Sequence, residues 1–307
     1  MMGDAVADKA TYFTPLSLTD FSLSPMISDD DATLVILAPS QSMSDLLREL
    51  DLALTHLAAF PGSRTAPAKA APWEDLALGP FVHEVARLPL LIAGWPEGEI
   101  PEGDLATGEV LHELATDSNM MSGEDLEAAL RQAVEGAGAA AEWRRITAAE
   151  SVERLLKNDT ALGWSGFDVM NHDEALRRRL ERRRMMVDAF REKLEWQHLR
   201  VEDLLAAARL LEKALTAEVV DETKAHRWQA RIGGELLMRC NSWMALAQDA
   251  LIGALWMGLE RSEKAASEAL GRTLKALESL LGESGAWTRS PWPQQAADAE
   301  PPKVFGL

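Results

Sequence analysis

Residues 176 to 215 carry apolar side chains in alternating steps of four and three along the chain. This average repeat of 3.5 residues keeps one edge of an α-helix against a partner helix, as in a coiled coil. Ten of the twelve positions are apolar, and no Gly or Pro interrupts the span. The pattern predicts a packed helix about 60 Å long, at roughly 1.5 Å per residue. The positions, here called the seam, are Leu176, Leu180, Arg183, Val187, Phe190, Leu194, Gln197, Val201, Leu204, Ala208, Leu211 and Leu215.

Two further helices are predicted after the seam. Asp221 is placed to cap the first, which runs to about Glu260 and is apolar nearly all round in its second half. A helix that is apolar on every side belongs at the centre of a bundle. Ser262 caps the next helix, which continues to Leu281. Because the connections between these helices are short, we expect residues 171–283 to form an antiparallel helical bundle with long, coiled-coil-like helices.

The first half of the chain has a different pattern. A short apolar run at 32–38 favours a buried strand, and the segment 144–146 is a further strand candidate, whereas the run at 88–95 fits either a strand or the apolar end of a helix. Amphipathic helical segments separate these runs. The sequence therefore predicts a mainly α protein in which a smaller, acidic mixed α/β domain (32–165) follows an irregular N-terminal segment (1–31).

Acidic and basic residues are distributed unevenly between the two halves of the chain. The formal net charge is −18, and residues 1–170 hold all of it, because residues 171–307 contain equal numbers of acids and bases. This step in charge supports a domain boundary near residue 170. An acidic half repels nucleic acid and anionic membrane surfaces, so binding to either is not favoured for that half.

Composition indicates a reducing compartment. Cys240 is the single cysteine, so no internal disulfide can form. The N-terminus lacks the apolar segment of a secretory signal, and the most apolar stretch (243–259) is divided by Gln248 and Asp249. We interpret that stretch as a buried core helix rather than a membrane span, and we expect a cytoplasmic protein.

Six arginines between residues 177 and 184 are the strongest local charge feature. Arginine forms bidentate contacts with carboxylates and phosphates, so three interpretations compete. The arginines dock onto the acidic first half of the same chain, bind an acidic partner protein, or bind nucleic acid. No aromatic residue interleaves with them, so stacking on bases is not indicated. The residues are Arg177, Arg178, Arg179, Arg182, Arg183 and Arg184.

Tryptophan is unusually frequent, with ten residues against one tyrosine. Trp243 and Trp256 lie in the apolar helix and are expected in the core. Residues 284–307 are rich in Pro and Gly and are predicted to form an irregular tail without a core. Trp287 and Trp292 in this tail are therefore candidate anchors for a partner protein, since tryptophan is enriched at such positions.

Arg191 and His198 are the only candidates for catalysis. Six residues separate them on a predicted helix, and this R-x6-H spacing resembles the R-x4-6-H signature of the HEPN ribonuclease-like families. In those families the Arg and His act on the RNA backbone within a small helical bundle. The chain contains no phosphate-binding glycine motif and no nucleophile elbow, and we predict neither a cofactor nor a metal centre.

These observations favour a non-enzymatic structural or adaptor subunit of a larger cytoplasmic complex. It would act through helix packing and the arginine-rich helix face, with protein partners or a second copy of itself. The alternative is a helical protein that binds nucleic acid or processes RNA in the HEPN manner.

Overall fold

The computed structural model describes residues 42–73, 76–117, 122–160, 169–190 and 196–294. These residues form helices and the segments that connect them, and no β-strand occurs among them. The mainly α prediction is therefore confirmed. The helices are α1 (Met43–Leu57), α2 (Leu78–Ala93), α3 (Asp104–Asp117), α4 (Gly123–Glu135), α5 (Ala139–Ala148), α6 (Val152–Thr160), α7 (Val169–Phe190), α8 (Trp196–Thr216), α9 (Glu222–Leu237), α10 (Trp243–Gly258), α11 (Glu263–Leu281) and α12 (Ala286–Arg289).

The mixed α/β region is not supported. The apolar run 88–95 lies mostly within α2, which ends at the left-handed Gly94, and the run 144–146 lies within α5. The run 32–38 falls outside the described residues, as do residues 1–31. Short apolar runs are ambiguous because buried helices and buried strands both need continuous apolar surface. Here packing against other helices decides in favour of α-helix.

Helix starts follow the capping residues in the sequence. The side chains of Ser42, Ser122, Asp221 and Ser262 each accept a backbone N–H from the first turn of a helix, and the caps at Asp221 and Ser262 were predicted. The single helix predicted from Asp221 to about Glu260 is wrong. Extended backbone at Ser242 separates α9 from α10, and the Ser242 hydroxyl caps α10.

The seam is buried, but not against a single partner helix. Leu180 and Val187 in α7 and Val201, Leu204 and Leu211 in α8 are fully buried. Helix α8 contacts α2, α3, α4, α5, α9 and α10, whereas α7 contacts α1, α5 and α6. A coiled coil is therefore not supported, because its seam would follow one neighbour. Continuity across 191–195 lies outside the described residues, and the boundary near residue 170 stays a prediction.

Helix α10 lies in the core along nearly its whole length, as its apolar sequence predicted. Trp243 and Trp256 are both buried. Helix α11 approaches closely at Gly258, where a Cβ atom would lie 2.3 Å from the Cα of Ala266. No helix in the described ranges combines the length and the apolar character needed to cross a bilayer.

The described part of the C-terminal region has a core, contrary to expectation. Trp287 and Trp292 are 0% and 2% exposed. The Trp287 indole stacks on Trp243 with 4.6 Å between ring centroids, and Trp292 meets Phe81 edge to face at 5.0 Å. Pro and Gly content predicted irregular backbone, but it does not predict whether the aromatic residues between them are buried. The premise that these two tryptophans are exposed is therefore wrong.

Candidate functional site

Arg179 and Arg183 join α7 to two other helices through shared carboxylates. Arg183 is 2% exposed, pairs with Glu142 of α5, and places Nη2 2.8 Å from Oε2 of Glu260. Arg179 reaches the same two residues, at 3.3 Å for Glu142 and 2.9 Å for Glu260. The Arg183 guanidinium also lies over the Trp256 ring, 4.7 Å from its centroid. Arg183, a charged residue at an otherwise apolar seam position, thus forms a buried ion pair between helices.

Two other arginines bind the carbonyl ends of helices. Arg182 donates to the backbone oxygens of Leu259, Glu260 and Arg261 at 2.9–3.0 Å, just after α10. Arg184 donates to the oxygens of Ile146 and Ala149 at the end of α5. Cations at helix C-termini satisfy carbonyls that have no intrahelical partner and oppose the negative end of the helix dipole.

The remaining two arginines are more exposed and make simpler pairs. Arg177 lies 3.5 Å from Glu153 of α6, and Arg178 pairs with Glu174 one turn earlier in α7. Four of the six arginines, at 177, 179, 183 and 184, thus contact residues in the range 142–153. These contacts support the interpretation in which the cluster docks onto the first half of the same chain.

Two open clefts flank α7. The first, called the arginine cleft, has a volume of about 510 Å³ and lies between α5, α7 and α10. Its lining includes Arg145, Arg179, Arg183, Glu142, Trp256 and Met257. The second, called the α7 groove, has a volume of about 700 Å³ and lies between α7 and the start of α11. Its lining includes Glu174, Arg178, Glu181, Met185, Arg261 and Glu263.

His198 lies beside a buried carboxylate that the sequence analysis did not single out. Its Nδ1 is 2.8 Å from Oδ1 of Asp249, and the Cys240 thiol donates to Oδ2 of the same carboxylate at 3.8 Å. Burial raises the pKa of Asp249, while the contact with His198 lowers it. Burial also raises the pKa of Cys240 well above its ordinary value, which disfavours a thiolate. An Asp within an otherwise apolar helix was the sequence signal for this contact.

The surroundings of His198 restrict the chemistry that this residue can perform. Bonding of Nδ1 to Asp249 favours the tautomer that leaves Nε2 as the second hydrogen-bonding atom, as in carboxylate–histidine pairs of hydrolases. Arg191 lies outside the described residues, so the structure does not place it beside His198. Across the described residues, no group of three or more His, Cys, Asp or Glu side chains could hold a metal ion.

The helix that carries His198 also carries buried Arg200 and Asp203 and half-buried Glu202, which the sequence analysis missed. Asp203 accepts the backbone N–H groups of Ala139 and Ala140, at 2.7 and 3.3 Å. Arg200 donates to the carbonyl oxygen of Ala133, at the end of α4. Burial raises the pKa of Glu202 to about 7, with Asp203 adding to the rise and Arg209 opposing it. Because the backbone groups that Arg200 and Asp203 contact are distant in sequence, no local motif predicts these contacts.

Trp287 and Trp292 contribute structure to this end of the molecule. The Trp287 Nε1 donates to the carbonyl oxygen of Glu84 at 2.8 Å, and the Ala68 N–H donates to the Trp292 carbonyl at 2.8 Å. As both indoles fill the core, a partner could reach them only if this region opened. Their role as partner anchors stays a prediction.

Comparison with known proteins identifies a family. Residues 110–295, more than half of the 307, match the model described as a protein of unknown function (DUF1266). The matched range contains the end of α3, all of α4 to α12, both clefts and the His198–Asp249 pair. No curated protein and no solved structure matches the chain. The chain belongs to the DUF1266 family.

Proposed function

We propose that this chain is a non-enzymatic adaptor subunit of a larger cytoplasmic complex, and that it holds a protein partner in the α7 groove. The observation that supports this most directly is the composition of the exposed stripe along α7. Glu174, Arg178, Glu181 and Met185 line one side of the groove at steps of four, three and four residues. These steps place all four side chains on one face of the helix.

Met185 is the apolar centre of this surface. It is 44% exposed, although most large apolar side chains of α7 are buried. An exposed methionine surrounded by charged residues matches the anatomy of protein interfaces, which combine an apolar centre with a polar rim. Methionine also adapts its shape to different partners. The internally paired arginines behind this stripe keep α7 fixed, so the groove is presented on a rigid element.

The experiment is affinity purification from the native host with quantitative mass spectrometry, comparing wild type with Met185→Lys. Met238→Lys is the matched control, because Met238 is also 44% exposed but lies at the end of α9. The proposal expects a partner that binds wild type and Met238→Lys but is lost with Met185→Lys. A compact protein with no specific partner, or a partner retained equally by all three, contradicts it.

A second candidate function rests on His198. Its Nδ1 contact with Asp249 is a carboxylate–histidine pair of the kind that orients a histidine for acid–base catalysis, which favours the RNA-processing alternative with Arg191 and His198. The test is cleavage of single-stranded RNA by wild type, His198→Gln and the control His226→Gln on α9. Loss of cleavage in His198→Gln alone supports this alternative. Wild type that cleaves no faster than His198→Gln removes it.

A further inference from the structure

The α7 groove presents a row of side chains whose spacing is symmetric when the helix is reversed. Glu174, Arg178, Glu181 and Met185 follow one another at steps of four, three and four residues, and all of them line the groove. The steps are therefore the same from either end of the row. The row covers about three turns, or roughly 16 Å of helix. An identical helix that runs in the opposite direction can place its own row directly against this one.

The charges in the row also match in this antiparallel arrangement. With a twofold axis between residues 179 and 180, Arg178 would face Glu181 of the second copy, and Glu181 would face Arg178 of the second copy. Two equivalent ion pairs would then form across one symmetric contact. A parallel arrangement would place arginine on arginine and glutamate on glutamate, and like charges in contact are unfavourable. The order of charges along α7 thus selects the antiparallel pairing.

Both charged groups are available for such contacts. Among the residues that the structure describes, the carboxylate of Glu181 has neither an ion-pair partner nor a hydrogen-bond partner. Arg178 pairs with Glu174 one turn earlier, with 67% of the arginine side chain and 60% of the glutamate side chain exposed. Exposed pairs within a helix contribute little stability, and a guanidinium has enough donors for two carboxylates. Arg178 can therefore bind a second carboxylate without losing the first.

Met185 supplies the apolar contact at one end of the row. It is 44% exposed and, in the antiparallel register, would lie opposite Glu174 of the second copy. The aliphatic part of a long charged side chain covers apolar surface while its charged end stays in water. Ala175 lines the groove beside Glu174 and is small, so it leaves room for a neighbouring helix. Each copy would therefore remove one exposed methionine from water, which favours association.

The basic side chains that flank the row are neutralised within each copy. Arg177 and Arg184 would approach one another along one edge of the contact, but each has a carboxylate partner in its own chain. Arg177 lies 3.5 Å from Glu153, and the Nε of Arg184 lies 3.0 Å from Asp188. On the other edge, Arg182 donates to backbone carbonyl oxygens just after α10. Repulsion along the two edges is therefore small.

We propose that the α7 groove binds a second copy of this chain, with the two α7 helices antiparallel about a twofold axis. This inference rests on the proposed function, because it names the partner held in the same groove. The two copies place the same surface in the interface, as in most homodimers. Because the contact extends over about three helical turns, it covers less area than a standard interface of roughly 1,600 Å², and we expect a dimer that forms at high protein concentration.

The test is analytical ultracentrifugation of the full chain from micromolar to near-millimolar concentration. Wild type should shift from one copy to two as the concentration rises. Arg178→Glu and Glu181→Arg should each weaken association by about tenfold or more, because each change places like charges in contact at both symmetric positions. Arg131→Glu is the matched control, since Arg131 is exposed on α4 and lies outside the groove. This control should associate as wild type does.

An equimolar mixture of Arg178→Glu and Glu181→Arg gives the sharpest result. In a mixed pair each contact joins an acid to a base, so two variants that stay monomeric alone should associate with each other as wild type does. Circular dichroism checks that each variant keeps the helical content of wild type. Should either fail to fold, a chain that carries both changes replaces the mixture, because the exchanged charges match again in its second copy.

Three results overturn the proposal: wild type that stays monomeric at every concentration, Arg178→Glu that associates as tightly as wild type, and mixed variants that stay monomeric. The proposed function fails separately, when affinity purification shows that Met185→Lys loses no partner. A monomeric wild type that captures a different protein through Met185 would therefore contradict the twofold pairing alone.

Discussion

The carboxylate of Asp203 caps a helix that begins 64 residues earlier in the chain, with its Oδ1 2.7 Å from the backbone nitrogen of Ala139. Helix α5 needs this distant cap because its own capping position is Gly138, which has no side chain. A Cβ atom at residue 138 would lie 2.3 Å from the same oxygen, so glycine also makes room for the contact. The cap also holds α5 in place as one wall of the arginine cleft.

Replacing Asp203 with alanine should destabilise the protein by about 2 kcal/mol, because two buried backbone donors lose their acceptor. Urea unfolding followed by circular dichroism measures the change. Asp203→Asn keeps one carbonyl acceptor and should lose about half as much. A difference below about 0.5 kcal/mol for the alanine variant would show that water replaces the cap.

Glu202 should make stability depend on pH. Its folded pKa of about 7 lies above the ordinary value of 4.5, so the folded state binds this proton more tightly than the unfolded state. The free energy of unfolding therefore falls as the pH rises from about 4.5 to about 7. Near pH 8, Glu202→Gln should therefore be more stable than wild type, because it removes the penalty of a charged carboxylate in this site. The expected gain is limited to about 1–2 kcal/mol because the side chain keeps partial solvent contact. Near pH 5 the two proteins should differ little in stability.

Thermal unfolding at both pH values gives this comparison. Glu109→Gln is the control, because Glu109 is exposed on α3. Equal effects of the Glu202 and Glu109 changes at every pH would contradict the assignment of a raised pKa to Glu202.

Arg183 should be far more important for stability than its neighbours. Arg183→Met is expected to destabilise the protein by about 3 kcal/mol, because Glu260 then pairs with Arg179 and Glu142 keeps Arg179 and a 3.8 Å contact with Arg145, all more exposed than the lost pair. Arg178→Met should change stability by less than about 0.5 kcal/mol, since Arg178 is exposed. Adding Glu142→Gln to Arg183→Met should recover part of the loss by removing one uncompensated charge. Urea titration of all three variants tests this ordering.

Trp287 should behave as a core residue. Trp287→Ala is expected to destabilise by about 3–5 kcal/mol, whereas Trp287→Phe keeps most of the buried area and should lose about 1 kcal/mol through the missing bond to Glu84. Near-wild-type stability of the alanine variant would instead support the earlier prediction of an exposed anchor. Guanidinium unfolding provides the measurement.

Cys240 should be inert in the native protein. It is 2% exposed and its pKa lies well above the ordinary range, so neither access nor the thiolate form favours reaction. We expect no alkylation by iodoacetamide near pH 7.5 in the folded state and complete alkylation in guanidinium, as read by mass spectrometry. Rapid labelling without denaturant would place the thiol at the surface.

Local signals predicted much of the architecture. The caps at Asp221 and Ser262 and the buried character of α10 follow from residue type and periodicity, which depend on neighbours within two turns. The run at 88–95 stayed open between helix and strand because buried helices and strands share that apolar pattern, and the strand prediction at 144–146 was wrong because the segment lies in α5.

Features that join distant segments were not predictable in this way. Arg183 was recognised as a polar seam position, but its partners Glu142 and Glu260 lie 41 and 77 residues away. Asp249 was noted only as a break in an apolar stretch, and its contact with His198 depends on how α8 and α10 pack. Pairings of this kind depend on tertiary packing, which periodicity does not encode.

The contact between Phe81 and Trp292 has a consequence for synthesis on the ribosome. Phe81 leaves the exit tunnel long before residue 292 has been translated, so the apolar face of α2 lacks its final covering while about 200 further residues are added. A nascent chain of this length exposes surface that chaperones bind. We therefore expect ribosome-bound fragments that end before residue 287 to be protease-sensitive throughout, and protection to arise only once the two late tryptophans have emerged.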